Sequence, residues 1–467
     1  MPSLLNGINT ALQALLAHQQ SIQVTEHNVA NANTPGYHRQ EAIMAAQHPI
    51  TAPGWSSGVG PGQMGTGVAV DHIRRFNVAF LDSRFRRESG EAARWNVNQQ
   101  VLQHAEAALA ETSTDGLQFK LNDFWANWQA LSTEPANTVL RTELHEQANT
   151  VSDAFNRRAI ELGRLREDQD LSIIDRVGEV NAVADQVAAL NAQIAHVRSV
   201  GHAPNDLLDE RDRLLDRLGE LSGAVAHEQQ NGEIMVSING HALVVGTQSF
   251  DLETAPDAFN ANLVAINWND GQSFSPPSGE LAGLLEARDS TIVDQINGLD
   301  SLAAALINRV NTLHQSGYGL NNNTGMDFFS GSDAMSLRVS SDVDNPASIA
   351  TAAAADSPGD SSIAQQIAEV QHELLMNGGT ATLGQYYNQQ AASLGLNVQQ
   401  AGQLAADRQL VADSMRFQRE SVTGVSLDEE AAKLVQSQKA YQAAVRMMTA
   451  IDEMLDQVIN RMGIVGR

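Results

Sequence analysis

The chain contains no cysteine. That excludes disulfides, thiolate metal sites and cysteine nucleophiles, and it says nothing of compartment, because 467 residues can build cores without staples. Aromatic residues make up only 5%. With so much Ala, Leu, Gln and Asn, this favours long helices over a large sandwich or barrel. Positive charge is also scarce: 29 Lys and Arg stand against 55 Asp and Glu, a formal charge of -26. The general positive field that would hold nucleic acid or anionic lipid is missing, so neither is expected as a partner. No run of 18 apolar residues is present to span a membrane. Lys and Arg are absent ahead of the first apolar residues, and Asn6, Asn9 and Gln13 interrupt them, so no cleaved secretory signal is expected.

Catalytic motifs are equally thin. His145-Glu146, His227-Glu228 and His372-Glu373 start like a zinc-protease helix, but Asn149, Asn231 and Met376 occupy the fifth positions. Gly60 to Gly65 spells G-x-G-x-x-G, yet a loop precedes it and the alternating Gly67 to Ile73 reads as a strand, the reverse of a dinucleotide site. Asp206, Asp209, Glu210 and Asp212 could suggest a metal or an acid–base pair. Interleaved Arg211 and Arg213, just after Pro204-Asn205, suit helix capping and salt bridging better. No enzyme activity, cofactor or metal is expected.

What the chain does have is two matched helical ends. Leu5, Ile8, Leu12, Leu15, Gln19, Ile22, Glu26 and Val29 follow at steps of three and four, the seam of a coiled coil. Asn31, Asn33, Thr34, Pro35, Gly36 and Tyr37 end that helix at a corner, with Pro35-Gly36 suited to the centre of a type II turn. At the other end Leu427, Ala431, Leu434, Gln438, Tyr441, Val445, Met448, Asp452, Leu455, Ile459 and Met462 repeat the same steps. Ser426-Leu427-Asp428-Glu429 reads as a capping box, and Gly463 can stop the helix. Isolated helices of this kind are marginal, so the seams call for partners. The two ends pair with each other, as an ordinary hairpin of terminal helices, or with neighbouring subunits; pairing alone does not choose.

Between the ends the chain reads as almost all helical from Asn77 to Leu221, with breaks near Gly116, at Glu134-Pro135 and at Gly201 to Pro204. Thr138 to Val200 holds a helical period long enough for a rod of about 90 Å at 1.5 Å per residue. Phe124, Trp125 and Trp128 read as packing between helices. Strand-like runs at Glu233 to Ile238 and Ala242 to Val245 flank Asn239-Gly240, a hairpin signal, and Leu263 to Trp268 is a further strand. Helix returns over Gly279 to Gly317 and Ser362 to Gln418, the latter softened at Gly378-Gly379, with a possible strand over Met335 to Ser340. The fold class is therefore mainly α with a β-rich inserted domain. The expected division is a terminal coiled-coil domain (1–45 and 425–467), a helical rod (46–225, 280–318 and 360–424) and a smaller β-rich outer domain (226–279 and 319–359).

The helical ends, with Asn28 to Gln40 at one and Ser426 to Gln436, Ala440 to Ala443 and Asp452 to Leu455 at the other, resemble those of bacterial flagellar axial proteins. Three inner stretches sharpen this. Pro204 to Asp212, Gly279 to Asp289 and Asn311 to Gly317 resemble the hook-associated protein 1 family of hook–filament junction proteins, whereas hook and rod proteins are β-rich in the middle. The resemblance implies terminal helices that line an axial channel, a helical rod outside them and an outermost β domain. It implies a structural adaptor packed beside copies of itself in a ring, between the hook protein and the next hook-associated junction protein. It also implies export by the flagellar type III apparatus without a cleaved signal, an extracellular place in the flagellum, and a chaperone held at roughly Ser426 to Met462. The alternatives are another axial protein, such as a hook or rod protein, and a secreted coiled-coil effector or adhesin.

Overall fold

The computed structural model describes residues 2–48, 65–109, 116–229 and 231–461. Met462, Gly463 and the glycine run up to position 64 lie outside these, as does the side chain of Leu5. The chain starts with α1 (Pro2–Ala30), then a hairpin of β1 (Gln40–Ala46) and β2 (Val68–Arg75). Four helices follow: α2 (Ala79–Leu109), α3 (Leu117–Thr133), α4 (Thr138–Ser199) and α5 (Asn205–Ser222). Every break between them falls where Gly or Pro predicts one. Asn137 caps α4, its side chain accepting from the Val139 and Leu140 amides.

β3 (Val225–Glu228), β4 (Ile234–Ile238), β5 (His241–Val245) and β6 (Gln248–Ser249) form one antiparallel sheet, and β7 (Leu252–Pro256) with β8 (Val264–Trp268) a second hairpin. Asn239 and Gly240 turn β4 into β5 with φ of 49° and 89°, the two positive values of a type I′ turn. Ile234, Val236 and Ile238 alternate inward and pack on Ile173, Val180, Val187 and the inner face of α5. Polar side chains on α4 fasten this unit. Asn191 is fully buried; it donates to the carbonyls of Ile234 (2.9 Å) and Gly246 (2.7 Å) and accepts from the Ile234 amide. Asn181 does the same for Leu252.

α6 (Glu280–Glu286) passes through a π turn at Ala287–Thr291 into α7 (Ile292–Gln315). After the short pair β9 (Phe329–Ser330) and β10 (Arg338–Val339) come α8 (Ser362–Glu369), α9 (Leu383–Thr423) and α10 (Leu427–Asp456). α8 and α9 are separated by a real loop, because Asn377, Gly378 and Gly379 all take positive φ. A capping box does occur, at Thr382 and Gln385 of α9.

Two expectations change. Met335 to Ser340 yields only a two-residue strand, and residues 319–359 do not join the β unit. Their core residues Phe328, Phe329, Leu337, Val343 and Ile349 pack with Trp128, Leu144, Phe155 and Leu306, at the other end of α4 from β3 to β8. The reason is polar as well as apolar. Asn311 of α7 accepts from the Phe328 and Phe329 amides, and Asn156 of α4 donates to the carbonyls of Ala334 and Leu337. The irregular backbone finds its partners on the rod helices.

His314 belongs to the same core. Its Nδ1 bonds the Met326 carbonyl (2.7 Å) and its Nε2 accepts from the Ala350 amide (2.9 Å), an arrangement that requires the neutral ring. Burial pushes its pKa down to about 4. An unfolded imidazole takes a proton near 6.5, so this residue's contribution is complete above about 6.5 and is lost as the pH falls toward 4. Between pH 7 and 4.5 the unfolding free energy should fall by about 2–3 kcal/mol more in the natural chain than in His314→Gln. Equal pH slopes in denaturant titrations of the two would refute this.

Candidate functional site

The terminal helices lie against each other within one chain, antiparallel. A Cβ on Gly7 would stand 3.1 Å from Ile451 Cδ1, Ser21 and Ser437 share a hydrogen bond of 3.1 Å, and Asn28 bonds Glu430 at 2.8 Å. Gly7, Ser21 and Asn28 thus face Ile451, Ser437 and Glu430, and Ala14 faces Ala444 in the same seven-residue register. Small residues on both sides let the helices approach closely. Ala11, Thr25 and Asn28 are buried on α1; Glu430, Ser437, Ala444 and Ile451 are buried on α10.

This stripe lies beside the leucine-rich seam read from the sequence, about 100° or more round the helix on α1 and about 40–100° on α10. Ile8, Leu15 and Ile22, with Leu434, Tyr441, Met448 and Leu455, flank it half-buried. Leu12, Val29, Leu427, Val445 and Ile459 are exposed, as are Leu16 and Met447. Periodicity finds the most apolar stripe, whereas close helix approach favours the smallest one. The large side chains are left on the outside of the pair.

The corner is built on a residue outside the expected set. Asn28 is fully buried and uses all four of its hydrogen-bonding positions. Its oxygen accepts from the Tyr37 hydroxyl (2.8 Å) and the Gln40 amide (2.9 Å). Its amide donates to the Gln40 carbonyl and to Glu430. Tyr37 reaches it because Gly36 takes φ of 79° and the Tyr37 amide donates to the Thr34 carbonyl, the geometry of the expected turn. Burial and then Asp206, Asp209 and Glu430 push the Tyr37 pKa upward, which keeps its hydroxyl a donor. Asn31 bonds only the local turn, and Asn33 and Pro35 are exposed. Arg39 donates to Glu430 (2.8 Å) and pairs with Glu429 (3.0 Å). Glu429 is turned to Arg39 instead of back to the Ser426 amide, and Ser426 makes no side-chain cap, so the expected capping box is not formed.

From the corner a charged network runs into the rod. Asp209, Asp212 and Asp216 share one face of α5. His38 and Arg75 hold Asp209 at 2.7 and 2.6 Å. Arg75 and Arg86 share Asp212, and Arg86 and Arg419 share Asp216. Arg419 also lies 4.1 Å over the Phe85 ring. Burial raises the Asp212 pKa, but Arg86 and Arg75 outweigh it and leave the net shift downward. The acidic cluster is thus a set of salt bridges that ties the β1–β2 hairpin, α2, α5 and α9 into one joint. Where α2 crosses α5 the helices nearly touch: a Cβ on Gly90 would come within 2.8 Å of the Gly219 carbonyl. Sequence reasoning missed Asn28, His38, Gln40 and Glu430. The available signal was a row of small or short polar residues, Gly7, Ala14, Ser21 and Asn28, at strict sevens.

Known proteins match this arrangement. Residues 102–329 match the model of the flagellar hook-associated protein FlgK helical domain. Residues 8–38 match flagella basal body rod proteins, and 419–462 the C-terminal region of flagellar basal body rod FlgEFG proteins. The flagellar hook-associated protein 1 of Bacillus subtilis is 30% identical over the whole length of both chains. That of Escherichia coli is 28% identical over 69% of this chain and 59% of its own. The flagellar hook junction protein FlgK of Burkholderia pseudomallei shares the fold with a TM-score of 0.67 at 14% identity, over 73% of this chain and all of that one. The chain belongs to the flagellar hook-associated protein 1 family, the structural proteins of the bacterial flagellum that join hook to filament.

Proposed function

We propose that this chain is a non-enzymatic adaptor that stands beside copies of itself in a ring, seated on the hook protein and followed by the next hook-associated junction protein. The observation that carries this is the division of labour on the terminal helices. Small residues hold α1 to α10 within the chain, while Leu12 and Leu16 on α1 and Val435, Val445 and Met447 on α10 stay exposed. Exposed large apolar residues in such number are costly in a solitary protein and suit a face that neighbours cover. Export through the flagellar type III apparatus, without a cleaved signal, fits this use and an extracellular position. A chaperone on the C-terminal helix before export would cover the same side chains. The proposed division keeps the terminal helices as one unit and α2 to α9 as the rod.

The test replaces side chains that the monomer does not bury. Leu12→Glu with Leu16→Glu should change monomer stability by no more than about 0.5 kcal/mol, and should abolish assembly onto isolated hooks and filament growth in cells lacking the natural gene. Normal filaments from the double variant would overturn the reading.

A further inference from the structure

The deeply buried arginines of the joint and rod are spent on partners. Arg75, Arg86, Arg288 and Arg419 each have carboxylates, and Arg141 is ringed by carbonyls and a hydroxyl. Arg211 is different. Only 3% exposed, it donates from one terminal nitrogen to two neutral acceptors, Asn191 Oδ1 (3.2 Å) and the Gly232 carbonyl (3.0 Å). Its Nε is buried and has no partner among the described residues. Burial pushes its pKa down; Asp212 and Glu228 offset part of this through space, and Arg198 and Arg75 add to it. A buried cation compensated only through space, with no carboxylate bonded to it, is costly unless something else pairs with it.

Arg211 lines a cavity of about 250 Å³ between α2, α5 and the β3–β4 strands. Arg198 stands at its rim, half-exposed and 3.5 Å from the exposed Glu228, so the cavity opens to solvent there. Asp82, 4% exposed, lines the same cavity; its Oδ1 makes no hydrogen bond among the described residues and has the Arg419 guanidinium only at 3.9 Å. Arg75 and Arg86, also on the wall, are occupied by Asp209, Asp212 and Asp216. One wall therefore offers a guanidinium with no carboxylate in hydrogen-bond contact and another a carboxylate held only by a distant ion pair, while Asp212, already bonded to Arg75 and Arg86, and Glu228 at the rim also line the space.

We infer that this cavity binds a small inorganic oxyanion that still carries a proton, of which hydrogen phosphate is the fitting species. Its oxygens would accept from Arg211 and Arg198, and its hydroxyl would donate to Asp82. Sulfate has the same size and acceptors but carries no proton near neutral pH, so Asp82 would repel it. A cavity of this volume has room for the ion and several waters at roughly 30 Å³ each. The occupied site would brace the β unit against α2 and α5 beside the joint.

The test uses the full chain at pH 7 in an amine buffer, with inorganic phosphate titrated against sulfate at ionic strength matched with sodium chloride. Calorimetry should show saturable phosphate binding, with a melting temperature that rises as mass action requires, and at least about tenfold weaker sulfate binding. Arg211→Met should abolish phosphate binding. Because that change also frees Asn191 and Gly232, Arg198→Met at the solvent rim is the second variant; it should fold normally and weaken phosphate several-fold. Asp82→Asn should erase the preference over sulfate. The proposal is overturned by an absence of saturable heat with phosphate, by sulfate binding as tightly, or by equal shifts in the natural chain and Arg198→Met. None of these outcomes bears on assembly at the hook.

Discussion

Glu430→Ala should loosen the terminal helix pair at the corner while the rod remains folded. The Glu430 side chain is 1% exposed and bonds both Asn28 and Arg39. Removing one partner of a buried charged pair costs about 3–5 kcal/mol, mostly through the groups left behind. Here Asn28 would lose one of four bonds deep in the corner, whereas Arg39 would keep the exposed Glu429. The loss should therefore fall at the lower end of that range. Hydrogen exchange reads the outcome by region. Amides in α1 and α10 should lose protection, while those around Val151 and Leu306 should not change. Glu430→Gln, which keeps an acceptor for Asn28 but no charge for Arg39, should lie between. Unchanged protection in α1 would remove the corner from the account.

Arg141→Met should have the largest effect on the rod. Arg141 is fully buried near the start of α4. It donates to the Pro135 carbonyl from two nitrogens (2.9 and 2.6 Å), to the carbonyls of Ile349 (2.5 Å) and Pro346 (3.4 Å), and to the Thr351 hydroxyl (2.8 Å). These bonds pin the 346–351 loop to the α3–α4 corner. Burial lowers its pKa to about 10, still well above neutrality, so the charge stays. Met fills a similar volume but donates nothing, and each carbonyl stranded without a donor costs about 1–3 kcal/mol. The sum should come to about 3–5 kcal/mol in urea titration, with exchange rising first at residues 346–351. A loss under about 1 kcal/mol would mean that water replaces the guanidinium without cost.

How much of this was legible in the sequence depends on the kind of signal. Helix breaks at Gly116, Pro135 and Pro204 and the Asn239-Gly240 hairpin come from local backbone chemistry, and the structure places them there. Strand β1 carries no such signal. Gln40 to Ala46 is half-exposed and does not alternate, and only its pairing with β2 makes it a strand. The family stretches carry structural duties that motif reading alone could not assign. His314 and Asn311 hold the 326–350 segment, and Arg288 in the π turn holds Asp170 of α4. The terminal seam is legible as a pair of helices, but the layer of residues that joins them within the chain lies beside it. Hydrophobic periodicity weighs Leu12 and Val445 above Gly7 and Ala444, yet close helix contact weighs them the other way. Glu430 was hidden because it acquires its role only from Asn28 and Arg39, about 400 positions away.

The register of that helix pair is the claim on which the rest depends, and the absence of cysteine makes it directly measurable. Ser21 Oγ and Ser437 Oγ lie 3.1 Å apart, close enough for a disulfide once both are replaced. The double variant Ser21→Cys, Ser437→Cys, oxidised as a dilute monomer, should form an intramolecular bond in nearly every chain and run as a monomer on a non-reducing gel. Free thiols throughout, or bonds only between chains, would show that the terminal helices do not meet through these small-residue layers.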